Sequence, residues 1–540
     1  MDVLYIIHPL TAPIDLIFLS IYNVLSVNLR FVFMRQFLFG TALFISSACG
    51  LVIEIVAGRL LAPYVGMSLY TWTAIIAVVL AGLSAGHWVG GIIAAPHVKA
   101  KIGARRIAWA LGLAAISSLS SLVLLRTVSG MLMQSGLTII PIIVLLATAL
   151  FFLPSFFVGI VSPVLTKIAV DESRHHTGRV IGQMYALGTL GSIAGTLSSG
   201  YFFISWIGST GTVIMVAAIY AIMALLFAIA DQFRFLVVVA IGGGAAILGV
   251  TGNSVGAFSG PCDIESDYFC IRIDDYDEPD IGPSRLMALD HLVHSINVKN
   301  DPEFILSPYV QFIDEYTRAV FGNKSPQAFF IGGGGFTLPR AWSHHYDNAK
   351  IVIAEIDPAV TDAAKNLLWF NSGAPGINVV HMDGRMLLQK TPSQPTFDVI
   401  FGDAFHDISI PPHLVSKEFH DEIARRLNPN GFYAINVVDR GADPRFMLSL
   451  VKTLKESFPV VDVWVDESMI GIMDRVTYVV MAKNSSFNLE KIHSTRGPDR
   501  VWAKWIPENL AKHLKRKDLI ILSDDFAPVD RLMAGILLKP

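Results

Sequence analysis

Three acidic residues in the second half of the chain each follow a mostly apolar, strand-like run: Glu355, Asp383 and Asp403. A carboxylate at a strand end can bind ribose hydroxyls or another part of a ligand. The alternative for each residue alone is a helix N-cap or a turn. Because buried strands that run into carboxylates pack poorly but suit ligand binding, we interpret all three as functional.

A glycine turn precedes the first of these acids. The apolar run 328–331 leads into Gly332, Gly333, Gly334 and Gly335, and a predicted helix follows. A second apolar run, 351–354, then ends at Glu355, about 20 residues beyond the turn. Glycines allow a tight turn and a close approach of the backbone to a ligand, while the acid can hold a ribose. The pattern predicts a site for a nucleoside-type cofactor.

The same region alternates between predicted strands and helices. Its predicted strands are 329–331, 351–354, 378–381, 397–401 and 431–437. This alternation is typical of a doubly wound, Rossmann-like α/β domain whose ligands bind at the carboxyl ends of the strands. Two strand-like pieces, 268–273 and 284–289, predict a small N-terminal β unit, and an amphipathic helix is predicted over 309–321.

Composition indicates that part of the chain lies in lipid. The mean hydropathy is +0.54 and only 16% of the 540 residues are charged, against about 25% in soluble proteins. A net charge of −3 gives no sign of a nucleic-acid partner. No cysteine spacing predicts a zinc site, and we expect no metal. Cys262 and Cys270 could pair only in an oxidising compartment.

The N-terminal half is predicted to be a helical membrane domain. Seven apolar segments approach the length that crosses a bilayer: 37–57, 71–95, 107–125, 137–161, 181–206, 212–230 and 233–250. We divide the chain into an apolar extension at 1–36, a membrane domain at 37–252 and an α/β domain at 261–540. The extension could be an eighth span, an interfacial helix or a segment upstream of a start at Met34. Recurrent glycines in the spans, such as Gly86, Gly191 and Gly195, predict close helix packing.

Loop charges bear on the orientation of the spans. Basic residues cluster in two loops: His97, Lys99, Lys101, Arg105 and Arg106 in one, and Lys167, Arg174 and Arg179 in the other. Such loops are cytoplasmic as a rule, which would place the seventh segment's exit, and the α/β domain, on the opposite side. A cytosolic nucleoside is not expected there. A segment that does not cross would remove the conflict, and from its chemistry we expect the α/β domain to be cytoplasmic, on a multi-pass protein of a bacterial inner membrane.

Several motifs together resemble the spermidine synthase family, the polyamine aminopropyltransferases. The resemblance runs from about residue 268 to 438 and is carried by Leu286-Met-Ala-Leu-Asp290, Phe329-Phe-Ile-Gly-Gly-Gly-Gly335, Glu355-Ile-Asp-Pro358, Asp383-Gly384, Phe397-Asp-Val-Ile-Phe-Gly-Asp403, Leu414-Val-Ser-Lys-Glu-Phe419 and Leu427-Asn-Pro-Asn-Gly431. Residues 50–64, 185–200 and 523–528 are similar to bacterial proteins in which several spans are fused to such a domain.

The resemblance implies aminopropyl transfer from decarboxylated S-adenosylmethionine, as a co-substrate and not a tightly bound cofactor, to a diamine such as putrescine. It implies the following roles: Gly332 to Gly335 and Glu355 bind the donor and its ribose, Asp383 and Gly384 bind adenine, Asp403 deprotonates the acceptor amine, and Tyr309 and Asp407 bind the acceptor. Beyond the lipid bilayer and the amine, a second copy of the chain is a further candidate partner.

The chain departs from the family pattern in ways that keep other functions open. Gly335 stands where the family usually carries an aspartate, Phe269 stands where it has a glutamine, and the usual second aspartate is displaced to Asp407. These changes are compatible with another amine, or with methyl transfer from S-adenosylmethionine. A transporter or sensor whose α/β domain binds a nucleoside or polyamine without turnover is the alternative from a different class.

Overall fold

The computed structural model describes residues 12–94, 100–172, 176–229, 234–276, 278, 281–392, 396–405 and 409–538. The chain divides into two compact units. One contains the residues up to Ala57, Ile75–Arg126 and Ala147–Phe258, and the other contains Gly58–Ala74, Thr127–Leu146 and the chain from Ser259 onward.

Within the described residues, six helical segments are long and apolar enough to cross a membrane. They are Phe37–Val65 within α1 (Ala12–Val65), α2 (Leu69–Ile93), Lys101–Met133 within α3 (Ala100–Met133), α4 (Ile139–Glu172), the 52-residue segment Thr177–Ala228, and α7 (Arg234–Ser254). The 52-residue segment comprises α5 (Thr177–Ser198), a π-helical turn (Ser199–Phe203) and α6 (Ile204–Ala228). Gly208 breaks it with non-helical φ and ψ of 69° and 173°.

Close helix packing is confirmed at Gly86, Gly191 and Gly195, whereas Gly91, Gly182 and Gly200, which we also expected to pack, have open space beside them. A Cβ atom at Gly86 would lie 2.1 Å from the carbonyl oxygen of Phe156, and at Gly191 it would lie 2.2 Å from that of Phe44. Any side chain at these two positions would force the helices apart. The glycines therefore serve helix contact, as small residues commonly do between apolar helices.

A four-stranded antiparallel sheet precedes the larger α/β fold. Its strands pair in chain order: β1 (Ile264–Glu265), β2 (Cys270–Tyr276), β3 (Ser284–Leu289) and β4 (Leu292–Val298). A disulfide joins Cys262 to Cys270, so the first residue of β2 is linked to the segment before β1. The sequence predicted β3 with the observed bounds and β2 two residues early.

The larger fold alternates helices and strands before it ends in an antiparallel extension. Its elements are α8 (Pro308–Phe321), β5 (Gln327–Ile331), α9 (Thr337–His345), β6 (Lys350–Ala354), α10 (Pro358–Leu367), β7 (Ile377–Val380), α11 (Gly384–Lys390), β8 (Phe397–Gly402), α12 (Lys417–Arg426), β9 (Leu427–Arg440), α13 (Arg445–Leu454), β10 (Val460–Asp466), β11 (Arg475–Lys483), β12 (Lys491–His493), β13 (Val501–Lys504), α14 (Pro507–Leu514) and α15 (Val529–Leu538). Single 3₁₀ turns lie at Pro412–Leu414 and Glu467–Met469.

These strands form one nine-stranded sheet in the order β12-β13-β10-β11-β9-β8-β5-β6-β7. Strands β5 to β9 are parallel to one another, and β10 to β13 add antiparallel pairs at one side. The predicted Rossmann-like fold is confirmed, with this antiparallel extension in addition. Because β8, β5, β6 and β7 are neighbours, the acids that follow three of them lie at the same end of the sheet.

Two buried apolar clusters cover the two faces of the sheet. Along β5, Phe329 and Ile331 belong to one cluster, while Ala328 and Phe330 belong to the other. Side chains alternate between faces along a strand, so the continuous apolar run of β5 fills both clusters. This double burial fixes β5, and with it the start of the glycine turn.

Candidate active site

A cavity of about 550 Å³ opens at the carboxyl ends of the parallel strands. All the predicted site residues that the structure describes line it: Tyr309, Gly332, Gly333, Gly334, Gly335, Glu355, Asp383, Gly384 and Asp403. Asp407, the remaining one, lies outside the described residues. Among the described residues, no group of three or more His, Cys, Asp or Glu is placed to hold a metal ion.

The glycine turn brings the backbone of β5 against the end of β8. Gly332 has a φ of 96°, and a Cβ there would lie 2.7 Å from the carbonyl oxygen of Asp403. The next strand end is tied in by the backbone N–H of Asp403, which donates to the carbonyl of Ile331 at 2.9 Å. Glycine at 332 is therefore required both by its φ and by the lack of space for a side chain.

Glu355 closes onto the glycine turn from the end of β6. One of its carboxylate oxygens accepts hydrogen bonds from the backbone N–H groups of Gly333 and Gly334 at 2.7 and 3.3 Å, and the other accepts from Asp357 at 2.9 Å. Burial raises the pKa of Glu355, while these backbone N–H groups act in the opposite direction. The carboxylate thus stabilises the conformation of the glycine turn, next to the position at which the sequence analysis predicts a ribose.

Asp383 caps the helix that begins at the end of β7. One carboxylate oxygen accepts from the backbone N–H groups of Arg385 and Met386, both at 3.0 Å, and the other lies 2.8 Å from Nε2 of His413. Burial acts to raise the pKa of Asp383, but these hydrogen bonds and the His413 charge hold it below its usual range. Asp383 is therefore both an N-cap, as the structural alternative held, and a carboxylate facing the cavity.

Asp403 is a carboxylate held between two neutral donors. The hydroxyl of Tyr309 donates to one oxygen at 3.1 Å, and the side-chain amide of Asn436, on β9, donates to the other at 2.9 Å. Burial raises the pKa of Asp403 to about 7, and the two hydrogen bonds only partly oppose this rise. A carboxyl group with this pKa can accept a proton near neutral pH, as a general base must.

Two of the positions that depart from the expected pattern, Gly335 and Phe269, lie in the cavity wall, and the first has a steric explanation. A Cβ at Gly335 would lie 2.0 Å from Oγ of Ser295, so Ser295 occupies the space that a side chain at 335 would need. Ser295 is buried, lines the cavity, and its hydroxyl has no hydrogen-bond partner among the described residues. Phe269 also lines the cavity and belongs to the apolar cluster below it.

Sequence reasoning missed two asparagines that position the site. Asn436 orients Asp403, and Asn297, fully buried, donates to the carbonyl oxygens of Gly335 and Leu368 at 2.8 and 3.2 Å. The signal was present for Asn436, a single amide within the otherwise apolar run 432–438, whereas Asn297 lies on β4 together with His294 and Ser295. A buried amide needs partners, so its presence in such a strand indicates a fixed hydrogen-bond network.

Comparison with known proteins relates this site to a family. Residues 319–490 match the family described as the spermine/spermidine synthase domain. This part of the chain is similar to that domain. The matched segment contains the glycine turn, Glu355, Asp383, Asp403 and Asn436, whereas Tyr309 lies just before it.

Curated relatives match limited parts of the chain. A probable polyamine aminopropyl transferase of Bifidobacterium longum is 36% identical over 115 residues, 21% of this chain and 25% of its own. The polyamine aminopropyltransferase of Vibrio vulnificus is 31% identical over 135 residues, 24% of this chain and 44% of its own. An eEF1A lysine and N-terminal methyltransferase of Xenopus laevis is 30% identical over 206 residues, 35% of this chain and 29% of its own. The chain thus spans about half or less of these relatives' lengths.

Solved structures match the chain with low scores. A probable spermidine synthase from Corynebacterium glutamicum is 19% identical with a TM-score of 0.42, over 49% of this chain and 97% of that one. Human methyltransferase-like protein 13 in complex with SAH is 20% identical with a TM-score of 0.29, over 41% of this chain and all of that one.

Proposed function

We propose that this protein is a membrane-tethered aminopropyltransferase. It would move the aminopropyl group of decarboxylated S-adenosylmethionine to an amine acceptor, with a diamine such as putrescine as the starting candidate. The observation that carries the proposal is the placement of Asp403, a carboxyl group with a pKa near 7, in one cavity with Glu355 and Asp383. The similarity of residues 319–490 to the synthase domain supports the same chemistry.

Each site residue has a defined part in the proposed reaction. The acceptor ammonium gives a proton to Asp403, and the free amine attacks the methylene carbon bound to the donor sulfonium. A C–N bond forms as the C–S bond breaks, methylthioadenosine leaves as a neutral thioether, and Asp403 returns its proton to solvent. A base is required because a protonated amine has no lone pair with which to attack. Asp403 would be that base. Tyr309 and Asn436 fix the position of its two oxygens, which favours an in-line approach.

Donor binding falls to the other strand ends. The glycine turn lets the protein backbone approach a nucleoside closely, and Glu355 and Asp383, which line the cavity from the ends of β6 and β7, would contact ribose and adenine. The long apolar helices of the N-terminal half would anchor this domain to a lipid bilayer. The apolar segments therefore supply location and the α/β domain supplies chemistry.

The decisive experiment is product analysis by mass spectrometry. Purified, detergent-solubilised protein is incubated with decarboxylated S-adenosylmethionine and a panel of amines. We expect a product heavier by one aminopropyl group and stoichiometric methylthioadenosine. Asp403→Asn should abolish both, whereas Asp362→Asn, an exposed acid on α10, should not.

A methyltransferase is the second candidate, because the Xenopus relative carries that activity in its name. The same assay with S-adenosylmethionine separates the two functions. Methylated amine together with S-adenosylhomocysteine would replace the aminopropyl proposal, and nucleoside binding without any product would favour a binding domain.

A further inference from the structure

One wall of the cavity is formed by a segment beyond the part of the chain that matches the synthase domain. Residues 527–531 line the cavity, although the family match ends at 490. Val529, at the start of α15, is buried in the same apolar cluster as Leu414, which lies on the cavity wall that follows Asp403. The C-terminal segment is thus held at the cavity by apolar packing.

Polar contacts fix this segment to the elements that carry the site. Asp524 forms a two-oxygen ion pair with Arg385 at 2.6 and 2.7 Å, and its backbone N–H donates to Glu418 at 3.0 Å. The backbone N–H of Lys417 donates to the carbonyl of Leu522 at 2.8 Å. With residues 522 and 524 held by these contacts and Val529 buried in the apolar cluster, the first turn of α15 has a defined position on the cavity wall.

Asp530 differs from the other acids of the cavity. Glu355 is satisfied by backbone N–H groups, Asp383 by backbone N–H groups and His413, and Asp403 by Tyr309 and Asn436. Asp530 is half-buried and lines the cavity, yet its side-chain carboxylate makes no hydrogen bond or ion pair with any residue that the structure describes.

The neighbouring cation does not neutralise Asp530. The Arg531 guanidinium lies over the Phe526 ring, 5.8 Å from its centroid, and forms no ion pair with Asp530. The two carboxylate oxygens of Asp530 therefore keep their capacity to accept hydrogen bonds from a ligand. A cationic ligand in the cavity would supply the missing partner.

We propose that Asp530 binds the distal ammonium of a diamine acceptor, while Asp403 deprotonates the amine that attacks. This assignment rests on the proposed transferase function and names its acceptor as a dication. The two amino groups of the acceptor then meet different residues: one reaches the strand end of β8 and the other reaches the first turn of α15.

The test compares acceptors with one and two amino groups. Asp530→Asn should raise the KM for putrescine at least about tenfold, as expected for loss of a charge-assisted hydrogen bond, and leave kcat within about twofold. Its KM for butylamine, which lacks the distal amine, should not change. Asp525→Asn is the matched control, because Asp525 is exposed in the same segment and does not line the cavity. Equal effects on both amines, or none on putrescine, would overturn the assignment.

Binding measurements keep this assignment separate from the transferase proposal. Calorimetry of putrescine with the full-length protein and methylthioadenosine reads the Asp530 contact without turnover. Weaker binding to Asp530→Asn alongside absent catalysis would retain the diamine site and reject the transferase. Turnover of putrescine that is indifferent to Asp530 would retain the transferase and reject the site. No binding of putrescine to the wild-type protein would reject the site outright.

A second inference, on different observations, concerns the side of the membrane. The 52-residue segment Thr177–Ala228 would be about 78 Å long as one straight helix, more than twice a hydrocarbon core of about 30 Å. The non-helical Gly208 would divide it into two crossings. With Phe37–Val65 and the four other apolar helices, the described residues from Phe37 to Ser254 would then make seven crossings.

Basic residues mark alternate ends of these crossings. One face carries Lys101, Arg105, Arg106, Lys167, Arg179 and Arg234, and the opposite ends carry Arg59 and Arg126. The last crossing begins at Arg234, so the chain leaves it at Ser254 on the face opposite the basic majority. By the charge rule the basic face is cytoplasmic.

The Cys262–Cys270 disulfide agrees with that direction. It closes a short loop at the entrance to the α/β domain, and disulfides persist in compartments outside the reducing cytosol. We infer that the α/β domain faces the non-cytoplasmic side of the membrane. This inference differs from the cytoplasmic expectation, which rested on the origin of the donor, and it requires that donor and acceptor reach the site on that side.

Cysteine labelling of the full-length protein in cells tests the orientation. A membrane-impermeant maleimide should label Asp362→Cys, on α10, and Ser135→Cys, between α3 and α4, in intact cells. Gly178→Cys, at the start of α5 and exposed, should react only after the membrane is permeabilised. The parent chain should remain unlabelled until reductant is added, because Cys49 is buried and the other two cysteines are paired. Labelling of Gly178→Cys with protection of Asp362→Cys in intact cells would overturn the inference.

Discussion

The side-chain amide of Asn436 donates to the carboxylate of Asp403 at 2.9 Å from the neighbouring strand of the sheet. With the Tyr309 hydroxyl at 3.1 Å on the other oxygen, both oxygens of Asp403 are held by neutral donors and neither by a cation. Burial therefore dominates, and the pKa of Asp403 rises to about 7. Asp403 can therefore gain and lose a proton near neutral pH.

The first prediction is a pH dependence of turnover. Because only ionised Asp403 can accept the proton, kcat/KM should rise with a slope of one up to a pH of about 7 and then level off. Asp403→Asn should lower kcat/KM by a factor of about 10²–10⁴. Steady-state kinetics from pH 5 to 9 measure both effects. Asp362→Asn is the control and should show the wild-type pH profile. A wild-type kcat/KM that does not change with pH would contradict the assignment of Asp403 as the base.

The second prediction concerns Asn436. Its hydrogen bond lowers the pKa of Asp403, so Asn436→Ala should raise that pKa and move the rising limb of the pH profile to higher pH. Tyr309→Phe should move it in the same direction. A loss of rate without any shift would mean that these residues act only through the fold.

The third prediction concerns stability. The pKa of Asp403 rises from an ordinary value of 3.8 to about 7 on folding, so between these values the folded state binds more protons than the unfolded state. Stability then falls as pH rises through this window. Asp403→Asn removes the cost of ionising a buried acid, so its Tm relative to wild type should be higher at pH 8 than at pH 4.5. Thermal unfolding in detergent measures the difference, and a pH-independent difference would speak against a raised pKa.

The fourth prediction concerns Gly335 and Ser295. A methyl group at 335 would lie 2.0 Å from Oγ of Ser295, so Gly335→Ala should destabilise the fold by about 1–3 kcal/mol through overpacking. Ser295→Gly should recover most of this loss in the double variant. Denaturation of the single and double variants tests the contact. If the second change brings no recovery, the strain lies in the backbone of the turn.

The fifth prediction concerns the donor. Glu355→Gln weakens the charge-assisted hydrogen bonds from Gly333 and Gly334, and it should raise the Kd for methylthioadenosine by about 10- to 100-fold. The KM for the amine should stay within about twofold. Calorimetry measures the Kd and steady-state kinetics measure the KM. An equal rise in the Kd for methylthioadenosine and in the KM for the amine would mean that Glu355 supports the fold and not donor binding specifically.

The parallel part of the fold was predictable because local pattern and topology agree there. The apolar runs before Glu355 and Asp403 have lengths that suit buried strands. The turn after β5 requires a glycine at 332, because the φ there is 96°. The antiparallel strands β10 to β13 were not predicted, because their residues carry no chemistry that would single them out and their pairing depends on distant partners.

The acidic residues of the candidate site could be predicted from the sequence, but most of the residues that hydrogen-bond to them could not. Strand-end carboxylates are visible in a sequence, whereas the partners of Asp403 come from residues 94 and 33 positions away, Tyr309 and Asn436. Only Tyr309 was named. Asp530 was missed because it lies far beyond the family motifs, on a helix whose position depends on tertiary packing.

The ion pair between Arg385 and Asp524 has a thermodynamic consequence. Arg385 directly follows Asp383 and Gly384 at the nucleoside end of the cavity, and Asp524 anchors the segment that carries Asp530 at the amine end. A rigid link between two binding surfaces makes their occupancies interdependent, and such coupling is reciprocal. Nucleoside should therefore tighten amine binding by the same factor as amine tightens nucleoside binding, and Arg385→Ala should uncouple the two.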